Sequence, residues 1–120
     1  MAIRCLIVDD NASFLAEAAA LLQRDGLVIA GLASNTREAL ERARQLQPDV
    51  ALVDISLGSE SGLELARQLV DIDEGAPTVI LISTRAESDF AEMIEEAPVA
   101  GFVPKAELSA SAIRRLLAAA

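Results

Sequence analysis

Two kinds of hydrophobic pattern take turns along the chain. Short continuous apolar runs rich in Ile, Val and Leu alternate with longer stretches whose apolar residues recur at helical spacing. Residues 3–8 form the first run, broken only by Arg4 and closed by Asp9-Asp10-Asn11. Over residues 12–24, Phe14, Ala18, Leu21 and Leu22 share one stripe and predict a helix, which Asp25-Gly26 ends with Gly26 suited to a left-handed cap. Residues 27–33 read as a second strand. Asn35-Thr36-Arg37-Glu38 has capping-box spacing and opens a helix with Ala39, Leu40, Ala43 and Leu46 inward. Pro48 stops that helix, because the residue before a proline avoids helical geometry.

Residues 50–53 are a third apolar run, which leads straight into Asp54 and then into the polar, glycine-containing stretch from Ser56 to Gly62. Ser61-Gly62-Leu63-Glu64 has capping-box spacing again and opens a helix to about Val70. Residues 78–82 are a fourth strand, ending at Ser83-Thr84. An acidic helix follows over about residues 87–96, from Glu87, with Phe90 and Ile94 inward. Residues 99–103 are a short fifth strand. Pro104, which lacks an N–H, suits an edge strand better than a central one. A last helix over residues 109–119 buries Ile113, Leu116 and Leu117. Strand and helix thus alternate five times with short connections, the signature of an α/β fold with a parallel sheet and helices on both faces.

Composition narrows the setting. The 120 residues fit one domain, 1–120, and no composition shift marks a second. Hydrophobic residues make up 52% but aromatics only 2%, so the core must be aliphatic and alanine-rich. The net charge of −9 would repel nucleic-acid backbones and argues against direct binding to them. Cys5, the single cysteine, lies in an apolar run and reads as a small core residue in a reducing compartment. No run has signal-peptide or membrane-spanning character, which points to the cytoplasm and away from the membrane. The chain has no histidine, so His-based acid–base chemistry, His metal ligation and a phosphohistidine on this chain are excluded. Lys105 is the only lysine.

Open α/β sheets gather their chemistry at the carboxyl ends of the strands. This chain places Asp9-Asp10 at the end of the first strand, Asp54 at the third, Ser83-Thr84 at the fourth and Lys105 after the fifth. Each has a bland alternative: a turn-capping Asp54, an acid pair favoured by a helix dipole, an ordinary strand-end hydroxyl, a solvated lysine. Convergence of all of them says more. Three carboxylates brought together would leave one protonated unless a cation intervened, and an all-oxygen set selects a hard ion such as Mg²⁺. Lys105 can neutralise a further oxygen as a point charge. A carboxylate between Mg²⁺ and an ammonium is placed to attack phosphorus and form an acyl phosphate.

On these residues the chain resembles a two-component response-regulator receiver domain over essentially all of its length. The motifs are an acidic pair closing the first strand, Asp54 closing the third with Gly62 eight residues on, Ser83 closing the fourth, and an aromatic, Phe102, three residues before Lys105. The resemblance implies a flavodoxin-like sheet of order 2-1-3-4-5. It implies Asp54 as phosphoacceptor and Asp10 as a direct Mg²⁺ ligand. Asp9 would hold the ion largely through water, Ser56 would supply a backbone carbonyl to it, and Lys105 would contact the phosphoryl group. Ser83 and Phe102 match a switch pair, in which the hydroxyl moves to the phosphoryl group and the aromatic turns inward.

The implied partners are a sensor histidine kinase or phosphotransfer protein, and a second copy of the chain after phosphorylation. The face of the fourth helix, fifth strand and fifth helix would carry the output. Its fourth helix bears Glu87, Asp89, Glu92, Glu95 and Glu96, and its fifth Arg114 and Arg115. The implied activity is a Mg²⁺-dependent, self-catalysed phosphoacceptor rather than a turnover enzyme. The second strand and Ala33-Ser34-Asn35 are most similar to receivers of the nitrate-response type, which usually precede a helix-turn-helix; none is present here. A single-domain regulator, the receiver fragment of a DNA-binding regulator, and a degenerate unphosphorylated binding module all remain open.

Three departures stand out. Gly58 occupies a position where many members have Pro, which is expected to loosen the loop. Pro104 precedes the lysine and Ala106 follows it, so the common Lys-Pro bond is missing. Thr84 replaces the usual Ala and is followed by Arg85, a pair expected to restrict access to the phosphoryl group.

Overall fold

A computed structural model describes residues 2–85 and 89–119. Five strands form a parallel sheet: β1 (Arg4–Val8), β2 (Val28–Ala33), β3 (Val50–Asp54), β6 (Thr78–Ser83) and β7 (Gly101–Pro104). They lie in the order β2-β1-β3-β6-β7, which is 2-1-3-4-5 when the sheet strands alone are counted, and all four pairings are parallel. Two further strands, β4 (Ser56–Leu57) and β5 (Glu60–Ser61), form a small antiparallel hairpin that periodicity did not predict.

Five helices, α1 (Ala12–Arg24), α2 (Thr36–Leu46), α3 (Gly62–Val70), α4 (Ala91–Glu96) and α5 (Ala110–Ala119), connect the strands. They cover both faces of the sheet, and β3 shows how. Val50 and Leu52 point into a core shared with Leu15, Ala18 and Leu22 of α1 and Ile113 of α5. Ala51 and Val53 point into the opposite core, with Ala39 and Ala43 of α2 and Leu65 and Leu69 of α3. Alternate side chains of one strand serve two cores, so the strand is apolar at every position before Asp54.

The expected caps form on one side only. Asn35 accepts from the Glu38 N–H at 2.9 Å, and Ser61 from the Glu64 N–H at 3.2 Å. The returning bonds go elsewhere: Glu38 accepts from the N–H and hydroxyl of Ser34, and Glu64 pairs with Arg67. The sharp end of α2 comes from Gln47, in the left-handed region at φ 46°, just ahead of Pro48.

Three expectations shift. In α1 the buried residues are Leu15, Ala18 and Leu22, while Phe14 and Leu21 are half-buried. The fourth helix is only six residues, with no side-chain cap; Phe90 is buried just before it, and Glu87 lies outside the described residues. The fifth strand starts at Gly101, where a Cβ would meet the Leu116 side chain at 2.7 Å. It sits at the sheet edge, as Pro104 required. At the other edge β2 carries one extra residue: Cys5 pairs with Ile29, but Leu6 pairs with Gly31.

Candidate functional site

The site forms where β1, β3 and β7 end. Asp9 follows β1, and its N–H donates to Ala33 O at 3.0 Å, which ties the acid to the β2 edge. Its side chain is fully buried, and its Oδ1 accepts from the Asn11 N–H at 2.8 Å. Asp54, buried at the end of β3, accepts from the Ser56 N–H through Oδ1 at 3.1 Å. Lys105 Nζ donates to the other Asp54 oxygen at 3.1 Å and forms an ion pair with Asp9 Oδ2. Asp10 is exposed, yet one oxygen from each of Asp9, Asp10 and Asp54 lies within 4.8 Å of the others. Three carboxylates and the sole lysine, on loops far apart in sequence, thus converge.

Burial pushes the Asp54 carboxyl above its ordinary range; the Ser56 N–H and Lys105 pull it back, and Asp9 adds to the rise. Burial alone would lower the Lys105 ammonium, but its bonds to Asp9 and Asp54 outweigh that and leave it raised. The cluster remains undercompensated. Asp9 Oδ2 is buried with no well-directed donor, its compensation being the charge of Lys105 alone. A buried carboxylate oxygen short of a donor, beside two more carboxylates, fits a hard divalent cation.

The loop after Asp54 is a defined turn rather than a slack one. Gly58 has φ 62° at the first central position of the hairpin between β4 and β5, and Ser59 has no positive φ. That is the pattern of a type II′ turn, which asks for glycine there and which proline cannot adopt. Glu60 of the hairpin accepts from the Thr36 N–H at 2.8 Å and so fastens the turn to the start of α2.

Of the expected switch residues, Ser83 is buried and its hydroxyl accepts from the Arg85 N–H at 3.0 Å. Phe102 is also buried, its ring centroid 6.5 Å from that of Phe90. Thr84 and Arg85 are exposed, and the Arg85 guanidinium lies 6.0 Å from the Phe90 ring. Ser56 is exposed. Pro104 and Lys105 are joined without any cis peptide bond among the described residues, and Lys105 opens a single 3₁₀ turn, Lys105–Glu107.

Two neighbours of the site escaped the sequence reading. Phe14, assigned to the core stripe of α1, places its ring centroid 4.3 Å from Lys105 Nζ. Its position one turn into the helix that follows Asp9-Asp10 was the available signal. Gly62 was noted for its spacing from Asp54, but not for the contact its backbone makes with that residue.

Residues 5–118 match the family model described as the response regulator receiver domain. The chain belongs to this family. The receiver domain is 33% identical over 104 residues to the response regulator GacA of Pseudomonas viridiflava, a match covering 86% of this chain. It spans 48% of that protein, about half its length. Among solved structures it is similar to a two-component response regulator of the LuxR family from Aurantimonas sp. SI85-9A1. The TM-score is 0.84 at 27% identity, covering 99% of this chain and 87% of that one. It is also similar to the signal receiver domain of NarL from Mycobacterium tuberculosis, at a TM-score of 0.81 and 25% identity, covering 97% of each chain. Receiver domains are the parts of two-component response regulators that interact with histidine kinases or phosphotransfer proteins. Among the described residues no helix is long and apolar enough to cross a membrane.

Proposed function

We propose that this receiver domain accepts a phosphoryl group on Asp54 from a sensor histidine kinase or a phosphotransfer protein, with Mg²⁺ in the acidic cluster. The observation that carries the reading is the bridge made by Lys105 between Asp54 and Asp9, beside a third carboxylate. A carboxylate oxygen of Asp54 forms the new P–O bond as the P–N bond of the donor phosphohistidine breaks. The bonding pair leaves with the imidazole nitrogen, which takes up a proton. Asp9, Asp10, Asp54 and the Ser56 carbonyl would hold Mg²⁺, which when bound supplies positive charge to the phosphoryl oxygens. The Lys105 ammonium offsets further negative charge there.

In this reading Ser83 gives up the Arg85 N–H and turns its hydroxyl to the phosphoryl group, while Phe102 holds its inward place against Phe90. Thr84 and Arg85 tune access and hence the lifetime of the acyl phosphate. The output face is α4, β7 and α5, where a cleft of about 450 Å³ runs beside Phe102, Pro104, Arg115 and Leu116. A partner or a second phosphorylated copy would dock there. Residues 1–120 act as one receiver unit in the cytoplasm. The unit is a self-catalysed phosphoacceptor rather than a turnover enzyme, and its net charge of −9 keeps it off nucleic acid.

The test is incubation with a small-molecule phosphodonor and Mg²⁺. The wild type should gain a single acid-stable, base-labile phosphoryl group, and Asp54→Asn should gain none. Equal labelling of the two proteins, or no labelling of the wild type, overturns the reading.

A further inference from the structure

The lysine of the site has two kinds of neighbour. The carboxylates of Asp9 and Asp54 are one. Phe14 is the other, with Nζ 4.3 Å from the ring centroid, inside the range of a cation–π contact. Such contacts arise about once per 70–80 residues, so this one gains meaning only from its place.

Its place is a closed circuit. Asp9 Oδ1 accepts from the Asn11 N–H at 2.8 Å. Asn11 Oδ1, capping α1, accepts from the Phe14 N–H at 3.1 Å. The Phe14 ring faces the Lys105 ammonium, and that ammonium returns to Asp9 Oδ2. One short stretch of backbone therefore sets both the buried acid and the aromatic surface that meet the lysine. After Lys105 the chain is exposed at Ala106 and Glu107 and re-enters the core at Leu108, whose N–H donates to the Lys105 carbonyl at 3.3 Å. The side chain of Lys105 is nonetheless only 13% exposed, so it is packed along its length rather than waving in water.

We propose that Phe14 is a positioning residue for Lys105, holding the ammonium over Asp54 by its ring face. The catalytic meaning of this contact rests on the phosphoacceptor reading above; the contact itself does not. The carboxylates are unreliable anchors during that reaction. Asp54 stops being a free carboxylate once it carries phosphorus, and Asp9 has a cation to share. The ring is unaffected by either change. It keeps the ammonium near the place where the phosphoryl oxygens arrive, and it does so with a surface that offers no competing negative charge.

Because Lys105 is the only lysine, ¹³C,¹⁵N-lysine labelling gives one resonance set that reports on it alone. In the wild type the lysine ε-protons should be shifted upfield by the ring current. Phe14→Leu, which keeps an apolar side chain, should lose that shift, and Phe14→Tyr should keep it. With phosphodonor and Mg²⁺, Phe14→Leu should be labelled about five- to thirtyfold more slowly than wild type, and Phe14→Tyr should regain most of the rate. In a Lys105→Gln background Phe14→Leu should have no further effect. Phe14→Met serves as a second apolar variant, and urea midpoints establish that the proteins compared are folded.

An unshifted lysine in the wild type overturns the proposal, and so does a wild-type labelling rate in both apolar variants. A slowed Phe14→Tyr matching Phe14→Leu also overturns it, since bulk rather than the ring face would then be at issue. If the wild type takes no label, the phosphoacceptor reading fails on its own. The lysine shift and its loss in Phe14→Leu then decide whether Phe14 holds Lys105.

Discussion

Gly62 lies so close to Asp54 that a Cβ built upon it would stand 1.9 Å from the Asp54 carbonyl oxygen. The contact arises because the hairpin folds the chain straight back after β3, and the Gly62 N–H donates to Ile55 O at 2.8 Å. The first residue of α3 is thereby pressed against the strand end that presents Asp54. Only hydrogen fits between them.

Gly62→Ala should therefore destabilise the domain by about 3 kcal/mol, the upper end of overpacking costs, because the obstructing atom is backbone and cannot rotate away. Urea unfolding measures it. A loss below about 1 kcal/mol would mean that α3 slides aside at little cost, and the tight fit would lose its significance.

Gly58 leads to a less intuitive expectation. Proline is the residue many family members carry there, yet its ring fixes φ near −65°, against the 62° of Gly58. Gly58→Ala should cost about 1 kcal/mol, from the left-handed backbone alone, since a Cβ would meet Asp10 Oδ2 only at an ordinary 3.6 Å. Gly58→Pro should cost more than Gly58→Ala and should weaken metal binding by moving the turn beneath Asp10. Calorimetric unfolding with and without Mg²⁺ tests both, and a proline variant as stable as wild type would contradict the turn assignment.

The raised Asp54 carboxyl sets the sign of a pH effect. In the metal-free protein the folded state holds that proton more tightly than the unfolded chain does. Stability therefore falls as pH rises from the ordinary aspartate range through the folded value. Asp54→Asn removes that fall. It should match wild type in acid, exceed it at neutral pH without metal, and gain less from added Mg²⁺. A cation at tenfold excess over its dissociation constant should add about 1.4 kcal/mol to the wild type. Lys105, also raised, contributes nothing in that window, since its charge is lost only as pH climbs through its own folded value. Thermal melts from pH 3 to 8 in chelator and in Mg²⁺ would show this, and parallel curves for the two proteins would refute it.

Much of this was legible beforehand, for physical reasons. Val50 to Val53 had to be covered on both sides, and that alone placed Asp54 at the edge where Asp9 and Lys105 also fall. The hairpin was not legible from periodicity, because strands of two residues carry none; Gly58 ahead of Ser59 was its one local sign. Phe14 packs against the core of Ala18 and Leu22, as its spacing suggested, but its second contact, with Lys105, leaves no mark in the periodicity. A helix beginning at the sheet edge turns its first residues toward the site before its later ones reach the core. The fourth helix was drawn too long, because acidic residues suit helices in general and no capping side chain marked its true start at Ala91.

The two outer strands have a consequence for how the molecule behaves in a crowd. On one side β2 bulges by a residue next to Gly31, and on the other β7 is four residues long and ends in proline. Neither border offers a straight ladder of free amides for a stranger's backbone. The sheet should resist annealing with its neighbours into fibrils, which leaves encounters between copies to helical surfaces that can form and dissolve.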